Sequence, residues 1–347
     1  MASSNERSRR AERGALPIVE QLDAIEFDEG GDGTLRLGGR ARVDVTSLGK
    51  TFFSEPGFTK GDLLRYYATV AELLVPLTRD RPLAMRRFPN GVGGTSFYQH
   101  DALSDPSPGV RVESVKAEGA AQPRYVGGHL ATIMYTAQLG AIEVHPWHSR
   151  VRTPEHADYF VIDLDPGPGS TFARVRETAG AVREALDALG LRCALKTSGS
   201  RGLHLAVALA PRTTYASAVE LAGTVCAGLA EAHPTTMTVQ RSLKKRPPGA
   251  IYLDYLQNAQ GKTIAAAYCV RARPGATVST PLRWSELDGG AEPGDFTIAT
   301  VPARLKRAGD LWGDAMRKKH GLSRPLDSLR AAAGTAATKS TGRRRAT

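Results

Sequence analysis

The sequence predicts a mixed fold of α+β or α/β class, a sheet with helices packed on it. Three observations carry that prediction. From about residue 158, short apolar runs alternate with amphipathic ones at strand and helix lengths. Hydrophobic residues make up 41% of the 347 positions and charged ones 23%, the balance of a chain that buries a core. No segment repeats at a fixed period, which sets solenoids and propellers aside.

The elements follow in order. Residues 15–45 are acidic and Gly-rich (EFDEGGDGTLRLGGR) and read as a loosely structured lead-in with one short strand or hairpin. Thr59–Leu77 reads as a helix, with Thr59 as N-cap and Leu63, Leu64, Tyr67, Val70, Leu73 and Leu74 at helical spacing. A helix over His129–Leu139 precedes a short strand at Ala141–His145. Tyr159–Leu164 is an apolar strand, Thr171–Leu189 an amphipathic helix closed by Gly190, and Arg192–Thr197 a strand. Gly202–Leu209 is another strand and Tyr215–Ala232 a helix, and strands at Ala250–Tyr255 and Thr263–Val270 follow.

The formal net charge of +11 invites a nucleic-acid reading, but its placement is uneven. Residues 1–14 carry four Arg against two Glu, and 304–347 carry twelve Lys or Arg against three Asp. Between them, 15–303 is balanced at 30 basic and 30 acidic residues. Disordered basic ends are expected at 1–14 and 331–347, the tail acting as a solubiliser or a weak phosphate-backbone contact. No run approaches the roughly 18 apolar residues of a membrane span, and the charged N-terminus has no apolar stretch behind it. Neither membrane nor secretory signal is expected. Cys193, Cys226 and Cys269 are far apart, so no disulfide framework and no paired-cysteine zinc site is expected, and a reducing cytoplasm fits.

The chemistry concentrates in four segments. In YFVIDLDPGPGS (159–170) the strand period places Asp163 and Asp165 on one face, and Pro166-Gly167 leaves both at the strand's end. Two close carboxylates repel unless a cation neutralises them, which suits oxygen-coordinated Mg²⁺ or Mn²⁺. A helix-capping, turn-forming acidic pair satisfies the same short pattern. KTSGSRGLH (196–204) lies between two strands. Gly199 and Gly202 permit a tight turn, while Lys196, Ser198, Arg201 and His204 offer donors to anionic oxygens. An ordinary Gly-rich hairpin with a core histidine is the plainer reading of that segment alone. The order of residues is not that of a Walker A loop. AIYLDYLQN (250–258) supplies Asp254 as a third oxygen ligand. In YCVRARPG (268–275), Arg271 and Arg273 share a face and suit a polyanion such as a triphosphate. Together these residues describe metal-assisted phosphoryl transfer of the two-metal kind.

DLDPG, KTSGSRGLH, DYLQN and VRARPG, in that order and spacing, resemble the polymerase module of bacterial DNA ligase D, a member of the archaeo-eukaryotic primase superfamily. The resemblance runs from about Val45 to about Asp288 and continues less clearly to about 330. It implies a primase-polymerase domain over 15–330, with an RRM-like sheet packed with helices as catalytic core (about 151–300). A smaller N-terminal part (about 43–150) would bind DNA ends and template. It further implies that Asp163, Asp165 and Asp254 bind metal, the first two holding both ions and Asp254 the catalytic one. Lys196, Ser198, Arg201, His204, Arg271, Arg273, His145 and Arg86 would contact the nucleotide. Lys50, Lys60 and Ser47 match a segment that grips a 5′-phosphate, and Phe97 and Tyr98 an aromatic pair that stacks on template. The sequence departs from the family at three of these. Ser47 stands where Asn is usual, Arg86 where Lys is frequent and Tyr98 where a second Phe occurs.

The implied activity is template-directed, metal-dependent nucleotidyl transfer, filling short gaps in DNA end joining or excision repair. NTPs are expected to be accepted readily beside dNTPs, with Mn²⁺ favoured over Mg²⁺ and no zinc. Expected partners are gapped or primed 5′-phosphorylated DNA and a separate ligase or end-binding protein. The protein is expected to act as a stand-alone cytoplasmic, nucleoid-associated monomer, since no K-x-D-G ligase motif occurs. Two rivals come from other classes. A haloacid-dehalogenase-like phosphatase would share FVIDLD, but Pro166 breaks its pattern and no Asp-Asp pair occurs. A catalytically silent nucleic-acid binder would gain from losing carboxylates beside DNA.

Overall fold

A computed structural model describes residues 18–26, 30–116 and 119–332. The expected basic end at 1–14 and all but 331 and 332 of the expected tail lie outside the described residues, and those two close a helix over 323–332. The chain divides into two compact units. One comprises residues up to Pro154, Leu195–Gly202 and Gln260–Ala315, the other Glu155–Ala194, Leu203–Ala259 and the residues from Met316 onward. Where the sequence suggested a single passage near 150, the chain therefore returns twice to its first unit.

In the first unit the lead-in is more ordered than expected. A helix at 18–26 buries Ile18, Leu22 and Ile25, and a hairpin pairs Gly33–Arg36 with Arg42–Val45. The helix expected over Thr59–Leu77 is two helices, Lys60–Thr69 and Ala71–Thr78. Thr59 caps the first as expected, in a reciprocal box with Asp62. The break falls on two β-branched residues, Thr69 and Val70. The Thr69 hydroxyl donates back to the Arg65 carbonyl, a bond that competes with helix propagation. A three-stranded antiparallel sheet sets Leu83–Arg87 between Phe97–Gln99 and Ala141–Pro146, and the helix Leu130–Gln138 precedes its last strand. A second hairpin pairs Val112–Lys116 with Ala121–Tyr125.

No strand forms over Thr263–Val270, whose β-bridges are isolated ones at Thr263 and Val270. Tyr268 sits at φ +65°, the Cys269 N–H turns back to Ala266, and the Ala265 carbonyl accepts from the Lys196 side chain. Strand period therefore does not align Arg271 with Arg273. Both lie in a turn, with the Arg273 N–H donating to the Arg271 carbonyl.

The second unit is built on a sheet in the order Met237–Thr238, Ile251–Asp254, Tyr159–Pro166 and Leu203–Ala208, antiparallel except at its first pair. Helices Phe172–Ala188 and Tyr215–Ala232 pack against the long strand and against each other. Val175, Ala179, Val182 and Leu186 give the first helix its buried stripe, Thr171 caps it, and Gly190 at φ +72° ends it. Phe160, Ile162 and Leu164 are fully buried on one face of the strand, and Tyr159 and Val161 are buried on the other. Asp163 and Asp165 fall on the alternate positions, half-buried and exposed.

Candidate active site

In the second unit the register assembles the carboxylates. Asp163 lies directly opposite Asp254 on one side and His204 on the other, and Asp165 lies opposite Tyr252. Asp163, Asp254 and His204 thus form a row across three neighbouring strands, with Asp165 two residues along. His204 is buried with Nε2 3.3 Å from Asp163 Oδ1. The residue expected to meet the nucleotide is placed against a carboxylate.

Asp254 is turned toward the loop that follows it. Its Oδ1 accepts from the Leu256 N–H at 2.9 Å and its Oδ2 from the Gln257 amide at 2.9 Å. Among the described residues no three acidic, histidine or cysteine side chains are gathered closely enough to hold a metal ion as they stand. The donor set nevertheless fits one. Three carboxylates on adjacent positions of one sheet offer hard oxygen ligands of the kind Mg²⁺ and Mn²⁺ take. Asp254 would join by exchanging its Gln257 contact.

Asn258, the last residue of DYLQN, explains why that motif extends past its aspartate. The strand Ile251–Asp254 stops at Asp163, leaving the N–H and C=O of Val161 without a backbone partner on that side. The fully buried Asn258 side chain takes both: Oδ1 accepts from the Val161 N–H at 2.7 Å, and Nδ2 donates to the Val161 carbonyl at 2.6 Å and to Tyr255 O at 2.8 Å. An amide thus continues the ladder where the strand has ended.

The first unit carries the cations. Around Gly199 the loop is closed by Ser198, whose hydroxyl accepts from the Ser200 and Gly202 N–H groups at 3.1 Å each. Gly199 is at φ +66°, and a Cβ there would meet Arg271 Cγ at 2.5 Å and Ser279 N at 2.8 Å. Arg271 donates to the Ser198 carbonyl, so guanidinium and loop are fastened together. Arg201 and Arg273 are exposed. Lys196 is placed differently from the expectation. At 1% exposure it is sunk in the interior, where Nζ donates to Ala265 O (3.0 Å) and Ser279 Oγ (2.6 Å) and lies 5.8 Å from the Trp312 ring centre. It ties segments of the unit together.

Sequence reasoning missed Glu143. It is 1% exposed, on the strand Ala141–Pro146, two residues before His145 and opposite Arg86 in register. Its Oε2 lies 3.1 Å from His145 Nε2. Its Oε1 lies 3.3 Å from Arg271 Nε, accepts from the Ala272 N–H at 3.1 Å and is 3.8 Å from Arg86 Nη1. Burial by itself would raise the Glu143 pKa, but His145, Arg271 and the Ala272 N–H together draw it down to about 2. Burial holds His145 below the ordinary imidazole value, partly offset by Glu143. The available signal was a lone acid inside the apolar run AIEVHPW, a charge that requires partners if buried.

Two further clusters contain the residues expected to contact DNA. Lys60 is buried at the start of its helix, with Nζ donating to Thr46 O at 2.8 Å. Burial first, and then the charge of Lys50, lower its pKa to about 8 against the opposing pull of Asp32. Lys50 Nζ donates to Pro89 O and Asn90 Oδ1. Ser47 adopts the left-handed region at φ +57°, with its N–H donating to Asp32 Oδ1 at 2.6 Å. Asparagine tolerates that conformation better than serine, which gives its usual presence there a backbone reason. Phe97 and Tyr98 are 47% and 56% exposed on a sheet-edge strand, with Arg87 and Arg86 guanidiniums 5.3 and 5.9 Å from their rings.

The LigD primase-polymerase domain family matches residues 59–312, well over half of the chain. The chain belongs to that family. It is similar to the multifunctional non-homologous end joining protein LigD of Pseudomonas aeruginosa, 34% identical over 267 residues, covering 76% of this chain and 32% of the relative. The Mycobacterium tuberculosis LigD repair protein is 34% identical over 280 residues, covering 78% and 36%, and the bifunctional Bacillus subtilis LigD is 30% identical over 296 residues, covering 83% and 46%. The chain thus spans about a third to a half of the length of the curated relatives it matches. A solved polymerase domain from M. tuberculosis Ligase D in complex with DNA superimposes with a TM-score of 0.75 at 31% identity, over 81% of this chain and all of that one. The fold is therefore the archaeo-eukaryotic primase-like α+β fold that the motifs implied, and the family is one of metal-dependent nucleotidyltransferases. No described helix is long and apolar enough to cross a membrane.

Proposed function

We propose that this protein is a template-directed nucleotidyltransferase that fills short gaps in DNA during end joining, extending a 3′-hydroxyl beside a 5′-phosphate. The observation that carries the reading is the carboxylate row, Asp163 opposite Asp254 with Asp165 two residues along. A structural role alone does not call for three acids on adjacent positions of one sheet. Asp163 and Asp165 would hold two divalent ions, Mn²⁺ in preference to Mg²⁺, and Asp254 would share one of them. Such ions, when bound, lower the pKa of the attacking hydroxyl and neutralise the phosphates. His204 beside Asp163 orients that carboxylate. In the first unit Arg271, Arg273 and Arg201 supply cations for the triphosphate, and Ser198 with Gly199 shapes the loop that bears Arg201.

The Lys50–Lys60 pair supports recognition of a 5′-phosphate. A desolvated ammonium beside a second ammonium is relieved by an anion, and phosphate is the anion a gap presents. Its pH dependence has a definite sign. The folded protein releases the Lys60 proton near pH 8, whereas an ordinary lysine holds it to 10.5. A bound phosphate raises that pKa again, so binding takes up a proton above pH 8. The advantage of a 5′-phosphorylated gap over an unphosphorylated one is expected to be full at pH 7 and about tenfold smaller at pH 9. Titration of both substrates by fluorescence anisotropy at the two pH values checks this. The exposed Phe97–Tyr98 pair suits stacking on template bases.

Primer extension on a gap of a few nucleotides with Mn²⁺, comparing NTPs with dNTPs, tests the proposal. Ready use of NTPs, acting as a monomer with a separate ligase or end-binding protein in the bacterial cytoplasm, belongs to the same reading. Incorporation that stops at the gap and improves with the 5′-phosphate is the expected result. Tight DNA binding with no incorporation of any nucleotide would identify a silent binder instead.

A further inference from the structure

Glu143 faces His145, Arg271, the Ala272 N–H and Arg86 at once from the interior of the first unit. We propose that Glu143 is a positioning residue that sets His145 and Arg271 for nucleotide binding, one carboxylate oxygen fixing the imidazole and the other the guanidinium. The inference rests on the nucleotidyltransferase reading for its substrate, a nucleoside triphosphate, and adds a residue to which no role is yet attached.

The chemistry of the carboxylate makes the arrangement directional. An ionised Glu143 is an acceptor only, so a neutral His145 must place its proton on Nε2 and keep Nδ1 as a lone-pair acceptor. Oε1 lies 3.3 Å from Arg271 Nε, an ion-pair contact on the side of the guanidinium, while Arg271 Nη1 donates to the Ser198 carbonyl. These two contacts hold the guanidinium between the carboxylate and the loop that carries Gly199 and Arg201. The Ala272 N–H on Oε1 ties the carboxylate to the turn that bears Arg271 and Arg273. A side chain needed only for stability would not have to join two groups on separate segments that both answer to the same polyanion. An apolar residue would fill its space without desolvating a charge.

Glu143→Gln keeps the shape but substitutes an NH₂ for one of the two acceptor oxygens, so with its oxygen on Arg271 it meets His145 as a donor and forces the imidazole into the opposite tautomer, with the proton on Nδ1. Two readouts are taken on the full chain: isothermal titration with Mg–UTP, and single-nucleotide incorporation on a 5′-phosphorylated gap. The variant is expected to bind Mg–UTP about tenfold or more weakly, with a matching rise in nucleotide KM. Gapped-DNA affinity should be unchanged, because Lys50 and Lys60 are untouched. The loss is expected to be non-additive: in a His145→Ala, Arg271→Ala background, adding Glu143→Gln should change nucleotide binding less than twofold. Glu143→Asp, which retains the charge one methylene short, covers the case in which the glutamine variant fails to fold, and a threefold or greater weakening of nucleotide binding is expected of it. Wild-type nucleotide affinity in a folded variant, or fully additive losses, would overturn the proposal. Wild-type protein that binds Mg–UTP but incorporates nothing would sink the polymerase reading, while the Glu143 comparison would still be decided by titration.

Discussion

Asp165→Ala is expected to reduce nucleotide incorporation by about 10³-fold or more, while affinity for gapped DNA stays the same or rises. The asymmetry follows from where Asp165 sits. It is exposed at the end of the strand Tyr159–Pro166, opposite Tyr252, so its removal takes no buried side chain from the core. In the proposed mechanism the substitution removes one of the two carboxylates that would hold both metal ions, together with a negative charge that would oppose DNA. A divalent ion that stabilises developing charge by several kcal/mol accounts for three or more powers of ten in rate. Single-turnover extension on a 5′-phosphorylated gap, with anisotropy for DNA binding and a thermal melt for folding, separates these contributions. Retained polymerisation in a folded Asp165→Ala protein would remove the carboxylates from the mechanism. Asp163→Ala is a less clean variant, since it also strips the buried His204 of the carboxylate 3.3 Å away.

The second large effect is on stability. Asn258→Ala leaves the Val161 N–H and C=O without the side-chain amide that partners both, in a place with no exposed surface. Each buried, unsatisfied backbone group costs about 1–3 kcal/mol, so a loss of about 2–5 kcal/mol is expected, a drop in Tm on the order of 10 °C. Asn258→Asp should cost at least as much. The carboxylate accepts from the N–H but cannot donate to the Val161 and Tyr255 carbonyls, and its charge would be buried. Because Val161 lies two residues before Asp163 on the same strand, activity should fall together with stability. Differential scanning calorimetry of the two variants checks the ranking. An unchanged melting temperature in Asn258→Ala would mean that water or the backbone takes over the two bonds.

The motifs were legible because each compresses a local rule. Asp163 and Asp165 share a face by strand period, and Gly199 sits where only glycine fits beside Arg271. Thr59 and Thr171 announce helix starts and Gly190 a helix end. Errors arose where a local rule met a tertiary partner. The run Thr263–Val270 has strand composition, yet the Lys196 ammonium occupies one of its carbonyls and Tyr268 turns left-handed. Lys196 itself, chosen as a donor to anions, is consumed by Ala265 and Ser279. The one local signal for Glu143, an acid inside the apolar run AIEVHPW, says that a buried charge needs partners and not which residues they are.

Legible without any tertiary contact were the family, the order of the acidic and basic motifs, the helix caps and the alternation that puts Asp163 and Asp165 on one face. All of these depend on neighbours within a few positions, where backbone geometry is periodic. Only the tertiary structure decided that Asp254 faces Asp163, that Asn258 finishes the ladder at Val161 and that one buried carboxylate serves both His145 and Arg271. Register and burial bring together residues as distant as Glu143 and Ala272, 129 positions apart, and that choice is made by the packing of whole elements, which no local pattern encodes.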